Sequence, residues 1–206
     1  MAGWSIHTGE AVALNLDNID TDQLIPARFM SRPRSEGYGD YLLYDLRRSE
    51  AGALRADFAL NAHTGASILV AGRNFGSGSS REAAVYALLD AGFVAVVAPS
   101  FGDIFANNAI NNGLLPAQLI AEDVADLATR LATDLKPMRI DVEAQTLSLS
   151  ERAFLFSLEE ASKRKIINGW DDIDLTLDQR DEIAAFRTTK RATMPWALVD
   201  AMGQEG

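Results

Sequence analysis

SILVAGRNFGSGSSREAAVYALLDAGFVAVVAP, residues 67–99, is the stretch that decides the fold. The apolar run from Ile68 to Ala71 reads as a buried strand. Gly72, Gly76 and Gly78 make the next segment a glycine-rich loop. The alanine-rich run after it reads as a helix with a buried stripe of Ala83, Ala84, Ala87, Leu88 and Ala91. A second apolar run, residues 93–98, completes a strand–helix–strand unit.

The start of that helix carries Ser79, Ser80 and Arg81. Free N–H groups and the helix dipole attract anions at such a position, so the loop suits a small carboxylate or phosphate. A plainer reading stands beside it. Ser79-Ser80-Arg81-Glu82 fits the S-x-x-E capping box, with Ser79 as N-cap and Glu82 three residues on. Arg81 weighs slightly toward the anion site, because a cation in the first helical turn opposes the dipole by a few tenths of a kcal/mol. No Gly-Lys-Ser/Thr follows, so the loop is not a Walker A motif. It is not the G-x-S-x-G elbow, and Arg81 stands where a dinucleotide fingerprint has Gly or Ala. Serine is too weak an acid to serve as a base unless its alkoxide is stabilised. Backbone N–H groups, the dipole and Arg81 supply such a field.

Outward from this unit, residues 9–16 read as a strand and Asn18-Ile19-Asp20-Thr21-Asp22 as a polar turn. Residues 31–39, SRPRSEGYG, read as a mobile loop. A short helix is expected over 41–48 and an extended connection over 57–64. Toward the C-terminus the pattern predicts a helix over 101–112 stopped by Gly113, a strand over 114–120 and an amphipathic helix over 121–132. A hairpin over 138–142 and 145–149, a helix ended by Gly169 and a further helix over 175–187 follow. Alternating strands and helices predict one α/β domain with a mixed sheet and flanking helices. Its core spans about residues 8–150, its helical C-terminal extension about 151–190 and a loose tail 191–206.

The net charge of −10 argues against nucleic acid and anionic membranes as partners. No apolar run approaches the roughly 18 residues of a membrane span, and the start lacks the pattern of a signal peptide, so a cytoplasmic protein is expected. The chain has no cysteine, which excludes disulfides, a thiolate nucleophile and cysteine-ligated zinc or iron–sulfur clusters within it. Its two histidines, His7 and His63, read as surface or loop residues, and no metal site is expected in this chain.

Several blocks together resemble the family of 3-isopropylmalate dehydratase small subunits, which belong to the aconitase-type isomerases of leucine biosynthesis. They are Asn18-Ile19-Asp20-Thr21-Asp22-Gln23-Leu24-Ile25-Pro26, AGRNFGSGSSRE at 71–82, ALLDAG at 87–92, SFGDIF at 100–105 with Asn108, and NGLLP at 112–116. The resemblance implies an aconitase swivel-type β/β/α domain. It also implies a large-subunit partner, in a heterodimer or larger assembly, that holds a four-iron four-sulfur cluster. The substrate would be a small hydroxydicarboxylate that loses and regains water. By position Ser79 matches the family's base and Asp22 its organising acid. Ser80 and Arg81 match its carboxylate contacts, and Arg34, or less well Arg32, its second carboxylate-binding arginine. Two positions depart from the pattern. Ala83 stands where the family has His after S-S-R-E, and Ser35-Glu36-Gly37 replaces a Thr-Gly turn. These leave open a paralogue acting on citramalate, dimethylmalate or homoaconitate, a weakened enzyme and a harmless change. A stand-alone anion-binding module and an inactive assembly partner are the readings outside this chemistry.

Overall fold

The structure is a computed structural model and describes residues 2–132, 135–194 and 196. The chain divides into two compact units, Met1–Trp170 and Asp171–Gly206. In the first, β1 (Ile6–Leu14) leads into the one-turn helices α1 (Thr21–Leu24), α2 (Tyr44–Arg47) and α3 (Ala59–Ala62). Then β2 (Ile68–Ala71), α4 (Glu82–Asp90), β3 (Ala95–Ala98), α5 (Asp103–Asn111), β4 (Leu115–Gln118) and α6 (Ala121–Arg130) alternate. β5 (Lys136–Asp141), β6 (Thr146–Leu149) and β7 (Arg152–Leu155) form a meander. α7 (Glu160–Asn168) ends at Gly169, whose φ of 70° makes a left-handed cap.

The strands form one mixed sheet in the order β4-β3-β2-β1-β5-β6-β7. β1 to β4 run parallel, and β5 to β7 add on antiparallel. An isolated bridge between Gln118, the last residue of β4, and Ser157, just beyond β7, curls the sheet until its two edges meet. β2 and β3 are buried at every residue because helices or strands cover both faces. Alternation splits them. Leu69, Ala71, Val96 and Ala98 join the core with α4 and α5, whereas Ile68, Val70, Ala95 and Val97 join the core with α6 and the meander. α4 buries Ala84, Val85, Ala87 and Leu88, with Ala83 and Ala91 only half-buried. Two small alanines on that face let the helix lie close to the sheet.

Four readings change. The extended connection over 57–64 contains α3, one helical turn held from outside. The Asn61 side chain donates to the Arg47 and Arg55 carbonyls (2.8 and 2.9 Å) and accepts from Arg47 Nε (2.8 Å). Such a turn leaves no periodic signal. β7 was not expected, because RAFLF has no clean alternation: Phe154 and Phe156 are buried while Leu155 is exposed. β1 starts at Ile6 rather than 9, because β5 pairs with Ile6–Ala11. Residues 31–39 hold two short 3-10 turns rather than plain loop, Arg34–Glu36 and the start of Gly39–Tyr41.

The second unit holds α8 (Asp172–Asp178) and α9 (Arg180–Thr193). Asp171 caps α8, its carboxylate accepting from the N–H groups of Ile173 (2.8 Å) and Asp174 (2.9 Å). The single helix expected over 175–187 is two: α8 ends at Asp178, and α9 starts at Arg180 and runs to Thr193. Thr188, Thr189 and Thr193 turn their hydroxyls back to the carbonyls four residues earlier, and Lys190 and Arg191 suit the negative end of the dipole. Of the tail expected over 191–206, residues 195 and 197–206 lie outside the described residues. No helix among the described residues is long and apolar enough to cross a membrane.

His7 sits half-buried on β1, with Nε2 2.8 Å from Ser67 Oγ and its ring edge-on to Trp4. Burial pushes its imidazole below the ordinary value of 6.5. The unfolded chain then binds a proton that the folded chain resists, so stability is present above about pH 6.5 and declines as pH falls below it. The urea midpoint is expected to be lower at about pH 5.5 than at about pH 7.5, with a smaller difference in His7→Gln.

Candidate active site

The carboxyl ends of β1, β2 and β3 point the same way, and their following loops meet. The carboxyl ends of parallel strands are where α/β proteins commonly bind ligands. The loop after β2 runs between the other two like a short extra strand. On one side Gly76 N–H donates to the Ile19 carbonyl (2.7 Å), Thr21 N–H to the Ser77 carbonyl (2.9 Å) and Asn18 N–H to the Arg73 carbonyl (2.8 Å). On the other side Phe75 N–H donates to the Ser100 carbonyl (3.0 Å) and Gly102 N–H to the Phe75 carbonyl (2.9 Å). Gly76 needs its missing side chain twice. Its φ is +71°, and a Cβ there would lie 2.2 Å from Phe105 Cγ.

Asp20 caps α1 in a capping box with Gln23, each side chain bonded to the other's N–H (2.7 and 2.9 Å). That cap turns Asp22 toward the second loop, where its carboxylate pairs with Arg81 Nη1. The Arg81 side chain is 19% exposed and that of Asp22 55%. A largely buried arginine side chain is therefore paired with a half-exposed carboxylate.

Ser79 and Ser80 are exposed, and among the described residues no hydrogen bond engages either hydroxyl. The capping box read from Ser79 to Glu82 is not formed. Gly78, with φ +94°, carries the loop further, α4 starts at Glu82, and Arg81 takes the N-cap position without a side-chain cap. Glu82 instead accepts from Asn112 Nδ2 (2.8 Å). Neither serine hydroxyl is spent on capping the helix.

Arg34 and Arg32 lie on the loop before α2. Arg34 pairs with Asp90 (3.1 Å) and stacks over Tyr86, 3.8 Å from the ring centre. Burial, then the hydrogen bond and charge of Glu82, push the Tyr86 phenol up, and Arg34 acts the other way. Glu82, Tyr86 and Asp90 follow at steps of four, so one stripe of α4 leads from Arg81 to Arg34. Arg32 pairs with Glu36 (3.5 Å) and lies over Tyr41. The structure thus brings Asp22 and Arg81 into contact, sets Ser79 and Ser80 just before them, and leaves both loop arginines on acids.

Asp90 is the anchor of residues 31–39. Its carboxylate accepts from Arg34 and from Tyr38 N–H (3.0 Å), and its carbonyl packs on Gly39. The i, i+4, i+8 spacing of Glu82, Tyr86 and Asp90 was the signal in the sequence for this stripe. Asp90→Ala is expected to speed amide exchange at Tyr38 by about tenfold or more and to open the bond after Arg34 to trypsin. Equal exchange and digestion in both proteins would refute the anchor.

The described residues contain no group of three His, Cys, Asp or Glu placed to hold a metal ion. Residues 1–122 match the family of aconitase C-terminal domains, and residues 172–199 match the C-terminal domain family of 3-isopropylmalate dehydratase small subunits. The chain is 42% identical over 202 residues to the 3-isopropylmalate dehydratase small subunit of Rhodospirillum centenum, covering 96% of this chain and all of that one. With that of Shewanella oneidensis it shares 44% over 195 residues, covering 91% of this chain and 96% of the relative. A crystal structure of 3-isopropylmalate dehydratase from Methanocaldococcus jannaschii superposes with a TM-score of 0.62 at 27% identity, covering 88% of this chain and 99% of that one. The loop geometry, the curled mixed sheet and these likenesses agree, and the chain belongs to the family of 3-isopropylmalate dehydratase small subunits.

Proposed function

We propose that this chain is the clusterless subunit of a hydro-lyase that interconverts 2-isopropylmalate and 3-isopropylmalate, a step of leucine biosynthesis. The observation that carries the reading is the arrangement at residues 79–81. Two exposed, unengaged serine hydroxyls precede a sheltered arginine held by Asp22, where the parallel strands end.

In this reading Ser79, as its alkoxide, takes the proton from the carbon that becomes part of the alkene. The hydroxyl leaves the neighbouring carbon as hydroxide. Hydroxide then adds back at the carbon that lost its proton, and Ser79 returns that proton to the carbon that lost the hydroxyl. The positive end of the α4 dipole and the Arg81 charge stabilise the alkoxide. Arg81 grips one substrate carboxylate by its planar fork, with Ser80 beside it. Asp22 holds the guanidinium in place and shares it when that carboxylate arrives. Arg34 takes the second carboxylate by exchanging Asp90 for it, and Arg32 is the alternative. Membership of the family assigns the four-iron four-sulfur cluster to the large subunit, and the lack of cysteine in this chain agrees with that. When bound it supplies the Lewis acid that helps the hydroxyl leave. Exposure of Ser79, Ser80 and Asp22 supports a partner that closes over them.

Ala83 favours a second reading, a paralogue for citramalate, dimethylmalate or homoaconitate, because it puts a methyl group where the family has an imidazole. The test is the intact complex with its large subunit, followed by alkene absorbance on each substrate. Turnover of 3-isopropylmalate at least about tenfold above the others supports the first reading. A preference for another hydroxydicarboxylate selects the second. No turnover of any malate-type substrate would overturn both.

A further inference from the structure

Residues 19–21 grip residues 76–79 at three points. Two are backbone bonds that almost any residue could make, Gly76 N–H to the Ile19 carbonyl and Thr21 N–H to the Ser77 carbonyl. The third needs a particular side chain. Thr21 Oγ1 donates to the carbonyl of Ser79 at 2.8 Å. Thr21 is 2% exposed. A hydroxyl buried that deeply costs free energy unless it is bonded, and its bond goes to the peptide of the residue read as the base.

That peptide needs a tether. Ser79 follows Gly78, a residue with φ +94° and wide torsional freedom, and precedes a helix that begins only at Glu82. Nothing regular holds residues 78–80. The fit is close, since a Cβ on Gly78 would meet Asp20 Cβ at 3.4 Å and Thr21 Oγ1 at 3.6 Å. Consecutive residues of α1 therefore hold both working parts of the loop: Thr21 holds Ser79 and Asp22 holds Arg81.

We infer that Thr21 is a positioning residue, whose hydroxyl sets the direction of the Ser79 side chain by fixing the Ser79 carbonyl. This rests on the reading of Ser79 as the base. Displacing a reacting group by about 1 Å costs on the order of 10²-fold in rate. A lost tether that alters aim but not the carboxylate grip should lower kcat and spare KM.

The experiment uses the complex with the large subunit. Thr21→Val keeps the shape and removes the donor, and Thr21→Ser keeps the donor. Thr21→Val is expected to lower kcat by about 10- to 100-fold with KM within about threefold, while Thr21→Ser stays within about threefold of the parent. In a Ser79→Ala background, Thr21→Val should cost nothing further, because it acts through Ser79. Thermal midpoints and complex formation are measured alongside, so that a folding defect shows itself. If Thr21→Val and Thr21→Ser lose activity alike, or Thr21→Val is as active as the parent while Ser79→Ala is inactive, the inference fails and the base assignment stands. If Ser79→Ala keeps its rate, the base assignment fails first.

Discussion

Ser79→Ala is expected to lower kcat of the assembled enzyme by about 10³-fold or more while KM and the thermal midpoint stay close to the parent values. A positioned acid or base contributes typically about 10²- to 10⁴-fold, and a serine that must act as its alkoxide leaves little for solvent to replace. Stability should hold because the hydroxyl is exposed and takes part in no cap or hydrogen bond among the described residues. Surface changes of this kind usually stay within about 0.5 kcal/mol. In the proposed function the grip on substrate belongs to Arg81, which the substitution leaves paired with Asp22. Ser80→Ala removes a contact rather than the proton acceptor, and a smaller loss with raised KM is expected. Steady-state kinetics on both variants, with thermal melts, checks the split. A Ser79→Ala enzyme at near-parent rate would remove Ser79 as base.

Gly76→Ala is expected to cost about 2–5 kcal/mol of stability and most of the activity. Two penalties add. A side chain in the left-handed region costs about 1–2 kcal/mol, and forcing a methyl into a packed core costs about 1–3 kcal/mol. The neighbour cannot yield easily. Phe105 is 2% exposed and is wedged edge-on to Phe75 and stacked on Phe101. Any relief moves the loop itself, whose Gly76 N–H holds Ile19, and so disturbs Ser79 and Arg81 together. Gly37→Ala is the control. Its φ is +83°, but no atom lies within 4 Å of the added Cβ, so only the backbone penalty remains. Urea unfolding of both variants measures the difference. Equal losses would show that Phe105 gives way and that the close approach at residue 76 is not what selects glycine.

The residues of the proposed site stand out in two short blocks of the sequence. Ser79, Ser80 and Arg81 are consecutive, and Asp22 belongs to a compact polar block. Thr21 stands in that same block and was missed, since its role depends on a carbonyl 58 residues away. Asp90 was missed for the same reason: it ends a helix as an ordinary surface acid and becomes an anchor only when the 31–39 loop lies against it.

The sequence by itself determined the strand–helix–strand unit, the glycine turns and the absence of any cysteine to hold a metal, because apolar runs, φ-permissive residues and composition are local properties. Only the tertiary structure decided that Ser79 does not cap its helix, that Arg34 rests on Asp90 and Tyr86, and that β5, β6 and β7 curl the sheet back toward β4. A hydrogen bond competes with every other partner that folding brings near, and those partners come from distant parts of the chain.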